Sequence, residues 1–159
     1  MRVAERVSAI IGEWTGTNGL RMMPDDEFNT SESTATIATP SRGNLATIAY
    51  TWSDFDGQPQ EGFLALSDAD DKGAIAAVWS DSWGQHPQWM PMTGLIRPDG
   101  VISVQGTYGS GEVEGTGNWW IHLDATDSAR LTMTMDNEWA DSGQYEVVRA
   151  TYTRSPSAG

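Results

Sequence analysis

The stretch that decides the fold is residues 1–16, MRVAERVSAIIGEWTG, in which the pattern of apolar residues changes. Before Gly12 the apolar side chains form one stripe at helical spacing: Val3, Val7, Ile10 and Ile11. After Gly12 the alternation takes the period of two that is typical of a β-strand. A helix this short is stable only when it packs on something else. The stretch therefore predicts a short N-terminal helix that rests on a β-structure.

The remainder of the chain predicts many short antiparallel strands. Turn residues such as Gly, Asp and Pro separate segments of strand-like pattern at intervals of about 8–12 residues. The predicted strands are residues 13–20, 34–39, 45–53, 61–67, 74–80, 89–97, 101–108, 117–124, 130–136 and 145–154. Strands joined by hairpins indicate an all-β barrel or sandwich. We expect one domain over residues 1–154 and a frayed polar tail over residues 155–159.

The two ends of this domain resemble those of the calycin (lipocalin-like) barrels. A helix, then Gly12-Glu13-Trp14 on the first strand, then an Arg in the closing strand is the pattern of that superfamily. The resemblance implies a single up-and-down barrel of about ten strands, plugged at one end by the helix. It also implies that Trp14 packs at the barrel floor under Arg149 or Arg154. Stacking of a guanidinium on an indole stabilises such a contact by about 0.5–2 kcal/mol.

A second resemblance covers residues 12–154. Glu61-Gly62-Phe63, Trp79-Ser80-Asp81-Ser82-Trp83-Gly84 and the closing Arg149 to Arg154 segment are similar to motifs of the bacterial domain-of-unknown-function family 1579. The resemblance again implies a calycin-type barrel. It implies no activity, because that family has no established one.

Composition excludes several classes of partner. The chain has 159 residues, with nine Lys plus Arg against twenty-two Asp plus Glu, for a formal net charge of −13. Binding to nucleic acid or to an anionic membrane surface needs a basic patch, so neither partner is expected. Cysteine is absent, and no apolar run is long enough for a signal peptide or a membrane span. We expect a cytoplasmic bacterial protein.

Tryptophan is unusually abundant, with eight residues against three Phe and four Tyr. Small barrels commonly hold one small ligand, and indoles on several strands suit an apolar or aromatic one. The predicted ligand-binding residues are Trp52, Trp79, Trp83, Trp89, Trp120, His122 and Met133. An unpaired Trp on the outer face would suggest a homodimer. Trp119 and Trp120 are neighbours on one strand and must point to opposite faces.

Two acid-base pairs are candidates for catalysis by a cofactor-free isomerase or cyclase. One pair is His122 with Asp124, which share a strand face with Trp120. The other is Asp81 with His86, where two indoles could desolvate the carboxylate. Each has a structural alternative, because Asp81-Ser82 can be a turn and His86 an exposed loop residue.

Further alternatives are a haem-binding barrel and a filled structural barrel. Haem-binding relatives of the nitrobindin type are similar in their G-x-W-x-G start but ligate iron with a late-strand His, which the last strand here lacks. His122 in the preceding region leaves haem open. No metal site and no cofactor are predicted, since the two His residues do not show metal-ligand spacing.

Overall fold

The computed structural model describes residues 1–109, 116–139 and 141–156. A short helix, α1 (Val3–Val7), continues as one 3₁₀ turn (Ser8–Ile10) and leads into ten strands. These strands are β1 (Gly12–Leu20), β2 (Asn29–Ala38), β3 (Leu45–Ser53), β4 (Pro59–Asp68), β5 (Ala74–Asp81), β6 (Gln85–Ile96), β7 (Ile102–Tyr108), β8 (Gly117–Asp127), β9 (Arg130–Glu138) and β10 (Tyr145–Arg154). A short helical segment, Pro40–Gly43, links β2 to β3.

The strands form one closed antiparallel barrel. Each strand pairs with its neighbours in the sequence, and β1 closes the sheet by pairing with β10. The predicted up-and-down barrel is confirmed, and the sandwich alternative is wrong. Most strand starts lie within two residues of the prediction, but β2 and β6 begin well before it, at Asn29 and Gln85. The first part of β2 is polar on both faces and gives no alternation signal, yet it pairs with the end of β1.

The N-terminal helix plugs the barrel at the end where β1 begins. Val3, Val7 and Ile10 are buried in the core, whereas Ile11 is 44% exposed and does not belong to the predicted stripe. The following 3₁₀ turn rotates the chain, so the helical spacing no longer holds at Ile11. Trp14 is fully buried and donates its indole N–H to the carbonyl of Ile10 at 2.9 Å.

Of the two arginines considered for the barrel floor, Arg154 takes the position. Its guanidinium carbon lies 4.5 Å from the Trp14 ring centroid, and its nitrogens donate to the carbonyls of Ile11 and Ala9. The expectation for Arg149 is wrong. Its guanidinium lies over Phe28, 4.8 Å from that ring centroid. Arg149 pairs with Gly19, near the far end of β1, whereas Arg154 pairs with Trp14 itself.

The barrel interior is divided into a packed half and a hollow half. Near α1 the inward side chains fill the space: Ile37, Ile48, Leu64, Leu66, Ile75, Ile102, Ile121, Leu123, Leu131 and Met133. This arrangement places the remaining inward residues, many of them aromatic or polar, around the opposite end. The candidate site lies there.

No helix within the described residues has the length and apolar character needed to cross a membrane. At the C-terminus the strand pairing extends slightly beyond β10, because the backbone N–H of Ser155 donates to the carbonyl of Glu13 at 3.0 Å. The predicted frayed tail, residues 155–159, is therefore held at its first residue. Residues 157–159 lie outside the described part of the chain.

Candidate functional site

A cavity of about 290 Å³ occupies the barrel end opposite α1. The C-terminal ends of β1, β3, β5, β7 and β9 bound it, together with the N-terminal parts of β6, β8 and β10. The β5–β6 turn also contributes to its wall. The lining residues are Asn18, Leu20, Met22, Tyr50, Trp52, Trp79, Asp81, Trp83, Gly84, Gln85, Met90, Tyr108, Trp119, Met135, Asn137, Val147 and Val148. The cavity is therefore mainly apolar and aromatic, with a few polar groups.

Among the described lining residues, Asp81 is the one with an ionisable carboxylate, and its side chain is 4% exposed. One oxygen, Oδ1, accepts the backbone N–H groups of Trp83 at 2.9 Å and Gly84 at 3.0 Å. The other, Oδ2, accepts the Tyr50 hydroxyl at 2.7 Å and the Trp52 indole N–H at 3.2 Å. Four donors satisfy the carboxylate and fix the β5–β6 turn, as a buried charge requires.

Tyr50 reaches Asp81 because a glycine lies between them. Tyr50 of β3 pairs with Gly62 of β4, and Gly62 pairs with Asp81 of β5, so the three residues form one row across the sheet. A Cβ at Gly62 would lie 2.1 Å from the Tyr50 ring, so any side chain would displace the ring. The ring crosses the bare backbone of β4, and its hydroxyl meets the carboxylate of the next strand.

Tyr50 also links Asp81 to the aromatic wall. Its hydroxyl accepts the indole N–H of Trp79 at 2.9 Å while donating to Asp81. Burial, and next the negative charge of Asp81, raise the pKa of Tyr50 well above its usual value of 10.0. Tyr50 thus stays protonated and keeps its role as a donor to the carboxylate.

Aromatic rings form the cavity walls in defined geometries. Trp79 and Trp119 stack with a centroid distance of 5.3 Å and an interplanar angle of 10°. Near the rim, Trp83 meets Trp52 edge-on at 5.5 Å and Phe55 at 6.0 Å. Because Trp83 is 37% exposed and lines the cavity, it lies where the cavity meets solvent.

The wall formed by β7, β9 and β10 carries a second polar chain. The Tyr108 hydroxyl donates to Oδ1 of Asn137, whose amide nitrogen donates to the Tyr145 hydroxyl at 3.3 Å. Tyr145 in turn donates to the carbonyl of Met22 at 2.7 Å. Burial raises the pKa of Tyr108 from its usual value, and this group also remains a neutral donor.

Two cavity-lining residues have polar atoms without partners. Asn18 is 3% exposed, and no described residue forms a hydrogen bond with its side-chain amide. The indole N–H of Trp119 is buried and has no acceptor among the described residues. Buried polar groups are normally paired, so both stand out against the satisfied Asp81 and Asn137.

The sequence model of one family, described as "Protein of unknown function (DUF1579)", matches residues 4–154. The chain belongs to the DUF1579 family. Among solved structures, it is similar to the crystal structure of Rv2717c from M. tuberculosis, with a TM-score of 0.66 and 14% identity. That similarity covers 97% of this chain and 98% of the other, and at this identity it shows a shared fold alone. No curated protein sequence matches the chain.

In this DUF1579 chain, the two central motifs quoted from the sequence meet at the cavity. Gly62 provides the space for Tyr50, while Trp79 and Asp81 receive and extend the same hydrogen-bond network. Outside the network, the Ser82 hydroxyl accepts the backbone N–H of Glu61 at 3.0 Å and ties the two motifs together. Asp81 is therefore both the turn former and the buried carboxylate that the sequence offered as alternatives.

The predicted ligand-binding residues fall in three places. Trp52, Trp79 and Trp83 line the cavity. Met133 is fully buried in the packed half of the barrel and does not reach the cavity, where Met135 of the same strand lies instead. Trp89 is 65% exposed on the outer surface, and so it does not line the interior.

The expectation that Trp120, His122 and Asp124 line the interior is wrong. Side chains alternate along β8, and Ile121 and Leu123 are buried in the core. Trp119 shares their face and lines the cavity, which leaves the other set on the outside of the barrel. The two neighbouring apolar residues at 121 and 123 are the sequence signal that decides this orientation.

His122 has different partners from those predicted. Its Nε2 lies 3.1 Å from Oδ2 of Asp136 and its Nδ1 lies 2.8 Å from the Ser103 hydroxyl. Asp124 instead accepts the backbone N–H and hydroxyl of Thr126. Ser103, His122 and Asp136 are the residue types of a hydrolase triad, but they lie on the outer face of β7, β8 and β9. There the backbone N–H groups, which an oxyanion hole would need, are already used in the hydrogen bonds of the sheet.

His86 is exposed at the start of β6, and its ring forms no hydrogen bond with Asp81 among the described contacts. The predicted Asp81–His86 pair is therefore not formed. Neither histidine of the sequence lines the cavity. Within the described residues, no group of three or more His, Asp or Glu side chains is placed to bind a metal ion.

Several cavity residues were not predicted from the sequence: Asn18, Tyr50, Tyr108, Trp119 and Asn137. Tyr50 lies on the inward face of β3, together with the predicted residue Trp52. Its hydroxyl partner lies two strands away, so only the sheet register reveals it. Asn18 shares its face of β1 with buried Trp14 and Leu20, so the alternation already places it inward, but a single polar residue on an apolar face does not by itself mark a site.

Proposed function

We propose that this barrel binds a small, mostly apolar or aromatic molecule in the cavity at the end opposite α1. The aromatic-walled cavity is the observation that carries the proposal. Its volume of about 290 Å³ lies just below the range of about 300–1,000 Å³ common for ligand sites, which suits a small ligand. Polar groups in such sites are few, and here they are concentrated on opposite walls.

The hydrogen-bond network supports the proposal, because it holds the walls in place before a ligand enters. Asp81 fixes the Tyr50 and Trp52 side chains and the turn that carries Trp83. Tyr50 fixes Trp79, one member of the stacked pair. A site whose side chains are already ordered loses less entropy on binding, and this increases affinity.

The filled-barrel alternative fits only the half of the barrel next to α1, which Met133 and its neighbours pack. A histidine-ligated haem is not favoured, because His86 is exposed and His122 lies on the outer face. Catalysis by a His–Asp pair has no support inside the cavity. A general base needs a free lone pair facing the substrate, whereas Asp81 already accepts four hydrogen bonds.

The test uses N-phenyl-1-naphthylamine, a neutral aromatic probe whose fluorescence rises in an apolar site. We expect saturable binding with a micromolar dissociation constant. Two variants of β9 provide a matched pair. Met135→Trp fills the cavity from its wall, whereas Thr134→Trp adds the same indole to the outer face of the same strand. Binding should be lost in the first variant and retained in the second.

Circular dichroism and thermal unfolding establish that both variants are folded. Equal binding by Met135→Trp and Thr134→Trp would show that the probe binds elsewhere and would overturn the proposed site. Failure of the wild-type protein to bind the probe or any other neutral aromatic compound of this size would overturn the proposed function itself.

A further inference from the structure

The unpartnered amide of Asn18 indicates what kind of molecule the cavity takes. Asn18 lies on β1, where its backbone pairs with Ser31 and Ala150, and its side chain is almost fully buried against the cavity. None of the described residues hydrogen-bonds this side chain. An amide presents a carbonyl acceptor beside an N–H donor, and the Asn18 side chain lines the cavity without bonding any of these residues.

The other polar side chains around the cavity contrast with Asn18. Asp81 accepts four hydrogen bonds, and Asn137 is paired through both its oxygen and its nitrogen. The amide of Gln85 donates to the carbonyl of Gln88 at 2.8 Å. Among the described lining side chains, Asn18 combines near-complete burial with an amide that makes no hydrogen bond, whereas Gln85 is only partly buried.

The charge of the lining restricts the ligand further. Asp81 carries a negative charge, and the lining residues within the described part of the chain include no Lys, Arg or His. A carboxylate or phosphate in this cavity would leave water without gaining a cationic partner, and it would meet Asp81 in a low-dielectric site. The net charge of −13 adds to this repulsion at long range. Anionic ligands such as fatty acids are disfavoured.

The wall geometry favours a flat molecule. The rings of Trp79 and Trp119 lie nearly parallel to each other on one side of the cavity. Planar aromatic groups prefer offset-stacked or edge-to-face contacts with such rings. The buried indole N–H of Trp119 also has no acceptor among the described residues. A ligand acceptor at this wall would pair with it.

Resting on the proposed function, we infer that the cavity takes an uncharged, flat aromatic molecule of about bicyclic size with a lactam or carboxamide edge, which pairs with the amide of Asn18. The ligand carbonyl accepts the Asn18 N–H, and the ligand N–H donates to the Asn18 carbonyl. The bidentate pairing satisfies the amide, and the apolar remainder of the ligand contacts the indole walls.

Isothermal titration calorimetry with three probes of nearly equal shape tests the lactam edge and the absence of charge separately. These are 2-quinolone, which has a lactam edge, naphthalene, which has no polar edge, and 2-naphthoate, which is an anion. We expect 2-quinolone to bind about tenfold more tightly than naphthalene, as one or two net hydrogen bonds allow. We expect 2-naphthoate to bind most weakly.

A variant pair locates the contact. Asn18→Leu removes the amide with little change in volume and should weaken 2-quinolone binding about tenfold while leaving naphthalene binding unchanged or tighter. The control is Asn118→Leu, since the Asn118 amide is paired with Glu138 at 2.8 Å on the outer face of β8. This control should leave the affinities for all three probes unchanged.

Equal affinities of the wild-type protein for 2-quinolone and naphthalene would overturn the lactam inference, even if Asn18→Leu failed to fold. Tighter binding of 2-naphthoate would overturn the charge argument and with it the inference. An unchanged 2-quinolone affinity in Asn18→Leu would overturn the assignment to Asn18. In each of these cases, binding of N-phenyl-1-naphthylamine that is lost in Met135→Trp would keep the proposed function intact.

Discussion

Replacing Tyr50 with Phe should destabilise the protein far more than the loss of one hydroxyl group usually does. The hydroxyl donates to Asp81 at 2.7 Å and accepts from Trp79 at 2.9 Å, and both contacts are buried. A hydrogen bond to a charged group contributes roughly 1.5–3 kcal/mol and a neutral one roughly 0.5–1.5 kcal/mol. The sum predicts a loss of about 3 kcal/mol in the free energy of unfolding, with the apolar ring contacts retained.

The measurement is urea unfolding followed by tryptophan fluorescence, together with a thermal scan. For a domain of this size, about 3 kcal/mol corresponds to a fall in melting temperature of about 6–12 °C. Tyr152→Phe is the matched control, because Tyr152 is equally buried. Its hydroxyl meets only the hydroxyl of Ser33, at 2.8 Å, and Ser33 keeps a second partner in the carbonyl of Thr51. The expected loss is about 1 kcal/mol.

The comparison of the two variants decides whether the network stabilises the barrel. If Tyr50→Phe costs no more than Tyr152→Phe, then Tyr50 does not bridge Asp81 and Trp79 in solution, and the cavity wall is not pre-ordered by this network. An unchanged urea dependence of the unfolding free energy in both variants would establish that the comparison concerns stability and not a change in the unfolded state.

Three further outcomes are expected. The free energy of unfolding should decline above pH 10, because burial raises the pKa of Tyr152 to about 12 while tyrosine in the unfolded chain ionises near 10. Tyr152→Phe should reduce the slope of this free energy against pH, between pH 10 and 12, by about 1.4 kcal/mol per pH unit. An unchanged slope would contradict the burial of Tyr152. Arg154→Met should lower the free energy of unfolding, measured with urea, by about 1–2 kcal/mol, because it removes the carbonyl contacts and the stacking on Trp14. Arg149→Met should lower it by less than about 1 kcal/mol. Equal losses would argue against the contact of Arg154 with the barrel floor. His122→Gln should leave the dissociation constant of N-phenyl-1-naphthylamine within about twofold, because His122 faces away from the cavity; a large loss of affinity would place the site elsewhere.

The sequence by itself determined the architecture of this protein. The helical stripe before Gly12 and the period of two after it predict the plug and the strands, and regular turns predict their antiparallel order. These features follow from local spacing, since each hairpin places its two strands side by side. Trp79, Asp81 and Trp83 could also be placed at one strand end from the sequence alone.

The sequence contains enough information to predict which face of β8 points into the barrel. Ile121 and Leu123 alternate with polar His122 and Asp124, and burial of the apolar pair takes Trp119 inward. A hydrophobic alternation decides a face more reliably than the presence of functional side chains, because a register in which both isoleucine and leucine face solvent loses their burial free energy.

Only the tertiary structure decided which groups meet inside the barrel. Tyr50, Gly62 and Asp81 are far apart in the sequence, and the register of three strands aligns them in one row. Arg154, rather than Arg149, reaches Trp14 for the same reason. Asn18 shares the inward face of Trp14, but only the closed barrel shows that its amide lines a cavity and bonds none of the described residues. Local spacing fixes each strand and its alternation, whereas contacts across strands depend on how all ten strands close on one another.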